Sequence, residues 1–389
     1  NNNNNEEYRS RGMVWGQYCR IGESDTERAT LYRKLRHQYC QTSSKYMDRN
    51  QMLKEIHNQH HYHKDHEKLV AVADMYLEYF PTYNKRDTNY VRFYRACSNS
   101  IIEPSLAIKQ FEEIVDTPLP SNGVNDNDSE FPDFIKETSI ANLRLLYPAD
   151  PCAEIPKIIH LLYFGETEFY NFHHRCILSM LVYMPEYEVR IYNAREPPAE
   201  NKYWRDIKAH PRVRIHTIDP PLYFDGFELK HFQYKADVAR LEVLYEHGGV
   251  YLDIDMLIVR PFHEIFASGH SFYISEEREG SGGRGSGALI NAFLAAKPKN
   301  EFIKLWLNEF KSGLRLGIWA HHIRDSNKQL IDTHPHYTHK YRIRVLDWKL
   351  FMPLHWQDTE AFIRSEIVGG GGGGGGGYDF PPESYGTHL

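Results

Sequence analysis

Asp253 and Asp255, one residue apart in an apolar run, are the side chains best placed to do chemistry. Val250, Leu252, Ile254, Leu257 and Val259 make a β-rich stretch that Pro261 closes, and the period of two in a strand predicts both carboxylates on one face. Paired carboxylates in such surroundings repel each other and resist desolvation unless a cation neutralises them. Oxygen ligands at this density suit a hard divalent ion, Mn2+ or Mg2+, which keeps positions open for substrate phosphates. A diphosphate is the expected ligand.

The elements that must position this pair are also legible. From Asp237, the apolar residues Val238, Leu241, Leu244 and Tyr245 recur at helical spacing, and Gly248-Gly249 ends the helix. On that helix Asp237 and Arg240 are three apart and share a face, which sets an acid able to accept sugar hydroxyls beside a fixed cation. An isolated D-x-D is ordinarily an exposed strand end, and an isolated acid-x-x-Arg is ordinarily a surface ion pair. Here the acid-x-x-Arg helix, the glycine stop and the D-x-D follow one another at fixed offsets, and that combination points to a site.

These residues resemble the glycosyltransferases whose sugar-binding region contains a D-x-D motif, the family 32 type. The family pattern S-D-x-x-R-x-x-x-L-x-x-x-G-G-x-Y-x-D-x-D is met by Asp237, Arg240, Leu244, Gly248, Gly249, Tyr251, Asp253 and Asp255, with Lys235-Ala236 before the acid. Upstream, Ile155-Pro156-Lys157-Ile158-Ile159-His160 looks like the family's opening strand, with Tyr163 and Gly165 in its aromatic and glycine places. Residues 176–192 resemble the helix that ends near a proline and the second strand after it. Residues 287–293, followed by Ala296-Lys297-Pro298, resemble the loop and helix that follow the metal strand. Tyr385-Gly386-Thr387-His388 looks like a late histidine motif that completes the metal and diphosphate shell.

The resemblance implies an α/β fold of the GT-A type, a Rossmann-like nucleotide-sugar-binding domain, with the ligand at the carboxyl ends of the strands. It implies hexose transfer from a UDP- or GDP-sugar to a hydroxyl of a glycan, lipid or protein acceptor, with retention of configuration and a manganese or magnesium cofactor. Asp237, Arg240, Asp253 and Asp255 carry the catalytic roles. Asp255 is the expected direct metal ligand, Asp253 bridges ribose, sugar or metal, and Asp237 and Arg240 position the donor sugar. His160, Tyr163, Gly165, Gly249, Tyr251 and Asn291 join Asp237 and Arg240 in substrate binding, and His388 joins Asp253 and Asp255 as a metal ligand. No residue declares itself a nucleophile. Two other readings stay open: a non-catalytic sugar-nucleotide or carbohydrate-binding domain of the same fold, and a metal-dependent phosphoester hydrolase.

Composition bounds the rest. A chain of 389 residues with 41% hydrophobic content can build two domains, and a net charge of −6 offers nucleic acid no general attraction. No stretch reaches the length of a membrane span, and no signal or anchor is read in the sequence. The resemblance leaves the cytoplasm and the lumenal side of secretory membranes both open. Five cysteines, none in a C-x-x-C pair, read as free thiols.

Residues 1–132 read as a helical region and linker, and residues 133–389 as the catalytic domain. Helices are predicted over 30–46, 52–79 and 106–114, and the Pro/Gly/Asn/Asp-dense stretch 116–132 as the linker. His57, His60, His61, His63 and His66 crowd one helix but read as a solvated face without a metal. The glycine-rich segment 280–287 reads as a mobile lid or acceptor loop, and the run 369–377 as a flexible insert.

Overall fold

In the computed structural model, residues 49–80, 85–117, 133–147, 154–164, 168–279, 284–315, 321–354 and 381–389 are described. The predicted helix 30–46, most of the linker, Gly165 and the glycine run 369–377 lie outside them. The chain divides into two compact units, Asn1–Pro148 and Ala149–Leu389.

The first unit is helical: α1 (Arg49–Asn58), α2 (His66–Tyr79), α3 (Lys85–Ile102), α4 (Pro104–Asp116) and α5 (Asp133–Leu146). The periodicity read as one helix over 52–79 is broken. A short π-helical turn, Gln59–His63, ends at Lys64 with positive φ, and Asp65 caps α2 by accepting from Lys68 N–H. Two small cores form, one around Met52, Leu69, Val72 and Met75, the other around Phe93, Phe111, Ile135 and Leu143. Since Ile135 and Leu143 belong to α5, that helix packs with the helices before it, and the division between the units falls at Pro148/Ala149 instead of before Asp133.

The second unit is α/β. In chain order it contains β1 (Ile158–Tyr163), α6 (Asn171–Tyr183), β2 (Glu188–Asn193), α7 (Lys202–Lys208), β3 (Val213–Thr217), the short hairpin β4 (Tyr223–Phe224) and β5 (Phe227–Glu228), and α8 (Phe232–His247). There follow β6 (Gly249–Leu252), β7 (Met256–Ile258), β8 (Phe272–Glu279), β9 (Arg284–Ala296), α9 (Glu301–Arg315), α10 (Ser326–Thr333), α11 (Tyr337–Lys340), β10 (Ile343–Leu346), α12 (Trp348–Phe351) and β11 (Gly386–His388).

Seven strands form one sheet in the order β10-β8-β9-β6-β1-β2-β3. All run parallel except β9, which is antiparallel to both neighbours. One apolar cluster fills the face that takes Ile159, Leu161 and Tyr163 from β1 with Ile177 and Met180 from α6. A second fills the other, where Leu162, Tyr251, Val238, Leu241, Phe302 and Trp306 meet. Strands covered on both faces are what a parallel sheet with crossover helices demands. β1 lies between β2 and β6, so chain order reverses beside it, which places the ligand crevice of such a sheet at the carboxyl ends of β1 and β6.

Two expectations change here. Residues 250–259 are not one strand: β6 stops at Leu252, residues 253–255 form a turn closed by Met256 N–H donating to the Asp253 carbonyl at 3.0 Å, and β7 leaves the main sheet to pair with β11. The two aspartates therefore sit on a turn beyond a strand end, not on a strand face. Residues 284–296 are likewise a strand and not a loop, and the helix begins at Glu301. Arg284–Gly287, expected within a mobile lid, pair back toward β8, with Arg284 opposite Glu279 and Gly285 opposite Arg278.

Candidate active site

Helix α8 delivers the first half of the site. Its amino end points toward the carboxyl ends of the strands, and Gln233, Ala236, Asp237 and Arg240, at helical spacing, line a cleft of about 370 Å³. At the other end the glycine pair does structural work. Gly248 has φ +63° and Gly249 φ +98°; a Cβ on Gly249 would lie 2.7 Å from the Ile158 carbonyl oxygen, and one on Gly248 would lie 2.5 Å from the Pro298 ring. Only glycine lets the chain turn directly from α8 into β6 against β1.

Asp237 and Arg240 are both buried and tied to one another and to their neighbours. Arg240 Nη2 lies 3.2 Å from Asp237 Oδ1, and its Nη1 lies 3.1 Å from Asp253 Oδ1 and donates to the Asn291 carbonyl at 2.9 Å. The guanidinium sits over the Tyr251 ring, 4.7 Å from its centroid. Burial favours loss of the Arg240 proton, but the surrounding Asp253, Tyr251 and Asp237 outweigh it and hold the cation firmly charged. Asn291 Nδ2 donates to Asp237 Oδ1 at 2.9 Å.

Asp253 joins this network to a second group. Its Oδ1 accepts from the Tyr251 hydroxyl at 2.7 Å as well as meeting Arg240, while its Oδ2 lies 3.5 Å from His388 Nε2. His388 Nε2 is also 3.2 Å from Asp255 Oδ1. Ligand atoms of Asp253, Asp255 and His388 all fall within 4.8 Å of one another, the one group of this kind among the described residues. β11 brings the histidine there by pairing with β7, His388 opposite Met256, and the Leu389 N–H donates to the Asp255 carbonyl at 3.2 Å.

The charges fit such a grouping. Burial opposes ionisation of Asp255, but the neighbouring His388 more than offsets it and keeps the carboxyl below its ordinary range. Burial likewise opposes charging His388, and Asp255 then Asp253 overcome it and raise the imidazole to about 9. A compact cluster of two carboxylates and one imidazole, partly open to solvent, matches the donor set of a hard divalent cation such as Mn2+ or Mg2+.

Of the residues expected to bind substrate, Asp237, Arg240, Tyr251 and Asn291 line the cleft together with Asp253 and Asp255. His160 and Tyr163 do not. His160 is buried within β1, its Nδ1 3.0 Å from the Tyr192 hydroxyl and its Nε2 2.8 Å from the Gly248 carbonyl, and burial lowers its pKa to about 3. It ties the opening strand to the end of α8. Tyr163 points to the opposite sheet face, against Phe169 and Trp204, while its neighbours Leu162 and Phe164 reach the cleft. A one-residue difference in a strand exchanges faces. Gly249 contributes backbone geometry and no lining.

Sequence reading missed His322. It sits on a π-helical turn, His321–Asp325, lines the cleft, and its Nε2 lies 3.0 Å from Asp237 Oδ2. With 85 positions between the two and no motif around His322, only the fold brings them together.

Comparison with known proteins finds similarity over part of the chain. Residues 172–272 match the family described as "Glycosyltransferase sugar-binding region containing DXD motif". Glucan organizing enzyme 1 of Cryptococcus neoformans var. grubii is 30% identical over 179 residues, covering 44% of this chain and 44% of the relative. Lactosylceramide 4-alpha-galactosyltransferase of Mus musculus is 24% identical over 164 residues, covering 40% and 42%. The chain thus spans under half the length of either relative. Among solved structures, the PaToxG glycosyltransferase aligns over 60% of this chain and 80% of its own at 20% identity and a TM-score of 0.37. The galactosyltransferase LgtC aligns over 59% and 86% at 15% identity and a TM-score of 0.33.

Proposed function

We propose that this chain uses its DXD region to transfer a hexose from a UDP- or GDP-linked sugar to a hydroxyl of a glycan, lipid or protein acceptor. The observation that carries the reading is the meeting of the Asp253–Asp255–His388 cluster with the buried Asp237–Arg240–Asn291 network along one cleft, joined through the two oxygens of Asp253. The cluster fits Mn2+ or Mg2+, with Asp255 and His388 as ligands and Asp253 contributing Oδ2. When bound, such a cation would stabilise the charge that develops on the β-phosphate as the diphosphate leaves.

The chain's own groups then divide the work. Arg240 fixes Asp237 and Asp253 in place, because its guanidinium meets both carboxylates at once. Tyr251 holds the Asp253 oxygen that faces away from His388. Asn291 and Arg240 orient Asp237, which positions the donor sugar. Transfer with retention follows the family resemblance.

The test is a panel of UDP- and GDP-sugars with manganese and with EDTA, followed by release of free nucleoside diphosphate. A galactosyl donor heads the panel because the mouse relative's name is that of a galactosyltransferase. Cation-dependent release is expected for at least one donor; binding without release supports a non-catalytic sugar-binding domain, and cleavage of simple phosphoesters supports a hydrolase. Because every residue of the cleft lies within the second unit, a chain shortened to begin at Ala149 should keep this release and lose part of its transfer to acceptor. Loss of both in a folded protein would place part of the donor site in the helical unit.

A further inference from the structure

His322 is buried to 1% exposure, belongs to no recognised motif, and makes one side-chain hydrogen bond, to the acid that the proposed function assigns to the donor sugar. Because the partner is a carboxylate, Nε2 carries the proton and donates it to Asp237 Oδ2. The opposite nitrogen, Nδ1, is buried with no hydrogen-bond partner among the described residues. The ring is held edge to face by Tyr234 at 4.7 Å and Phe310 at 4.5 Å between centroids. A buried polar atom without a partner carries a cost. The structure tolerates it while keeping the Nε2 bond.

The backbone under the ring is fixed as well. The His322 carbonyl accepts from Trp306 Nε1 at 3.1 Å and from the Ser326 hydroxyl at 2.6 Å. Gly313 on α9 comes so close that a Cβ there would lie 2.6 Å from the His322 Cα. Trp306 and Gly313 both belong to α9, so that helix sets the position of the π-helical turn and, through it, of the imidazole.

A carboxylate has about four acceptor positions. Asp237 Oδ1 uses its positions on Asn291 and Arg240, and Oδ2 uses one on His322. Among the described residues nothing else takes Oδ2, so one position is left on a residue that lines the cleft. We propose that His322 is a positioning residue: by holding Oδ2 of Asp237 it fixes the direction of the remaining lone pair, which accepts a hydroxyl of the bound sugar. This rests on the donor-sugar role of Asp237 given above. In this role His322 acts through Asp237 and is not itself a member of the Asp253–Asp255–His388 cluster.

The experiment compares wild type, His322→Gln and His322→Phe. Glutamine places an amide N–H near the position of Nε2, whereas phenylalanine keeps the ring volume and removes the donor. Three quantities are measured: turnover of whichever UDP- or GDP-sugar the wild type cleaves, affinity for UDP or GDP with manganese, and melting temperature. His322→Phe should lose about a hundredfold in turnover, as supporting hydrogen-bond partners of site residues commonly do. Its nucleotide affinity should stay within about threefold, and His322→Gln should recover turnover to within about tenfold of wild type. Normal turnover in His322→Phe, equal impairment in both variants, or a loss of nucleotide affinity parallel to turnover would overturn the proposal. A wild type that cleaves no sugar nucleotide would overturn the functional reading first, and the positioning role with it.

Discussion

The two halves of the site use the same residue type in opposite ways. In the Asp237–Arg240–Asn291–His322 half, the groups are buried and face one another, so their charges are spent within the protein. In the Asp253–Asp255–His388 half, the side chains keep between 21% and 36% exposure. There a proton on His388 balances the acids. Removing one partner from a closed, buried network leaves an uncompensated charge, whereas an open cluster can exchange its balancing charge for another. The first half is built to hold shape, and the second has the donor atoms and the exposure that the proposed cation would need.

Arg240→Met is the severest test of that contrast. It strands Asp237 and Asp253 and should cost about 3–5 kcal/mol of stability together with all measurable turnover. Chemical denaturation and the sugar-nucleotide assay check both, and a stable variant would show that the network is not closed. Arg240→Lys keeps the charge but not the planar fork, so it should spare the fold and nucleotide binding far more than turnover.

Asp255→Asn should behave differently: turnover falls by about a hundredfold or more and manganese-dependent nucleotide binding is lost, while melting shifts little, because no buried charge is stranded. A large drop in stability would place Asp255 with the closed half.

The pH dependence of the open half follows from His388. Its pKa is raised in the folded chain to about 9 from 6.5. The cation-free protein therefore gains stability from this group in full below about 6.5 and loses it as pH rises through 9. Cation binding must expel the same proton, so affinity for manganese should climb by on the order of tenfold per pH unit until it levels near 9. His388→Gln should flatten that slope in a titration followed by calorimetry. An unchanged slope would remove the histidine from the cluster.

The smallest effect is expected at Tyr163. Its side chain packs away from the cleft, so Tyr163→Phe should leave donor affinity unchanged, while Phe164→Ala, beside it in sequence but on the cleft side, should weaken it. Equal effects would contradict the assignment of faces.

Much of this was readable in the residues. The spacing of Asp237, Arg240, the glycine pair and the D-x-D specified a helix, a stop and a strand after it, because helical period, positive-φ glycines and apolar alternation are local properties. The helical character of the first part was legible for the same reason, and the α/β class of the second came with the family resemblance. Sequence also supplied the candidates Asp253 and Asp255, since a cation needs particular donor atoms whatever the fold, and the family resemblance supplied His388.

What tertiary structure decided were contacts between segments. That Asp253 and Asp255 lie on a turn and not on a strand face follows from β7 leaving the main sheet to pair with β11, and the same pairing carries His388 to the aspartates. Membership of α5 in the helical unit depends on what Ile135 and Leu143 pack against. The inward burial of His160 depends on its reaching the Gly248 carbonyl 88 positions away. His322 reached Asp237 only once α9 had fixed the turn beneath it. Local pattern encodes what a segment is; which segments become neighbours depends on how a sheet of this order and its covering helices fill two apolar layers, and that balance is struck by the whole chain at once.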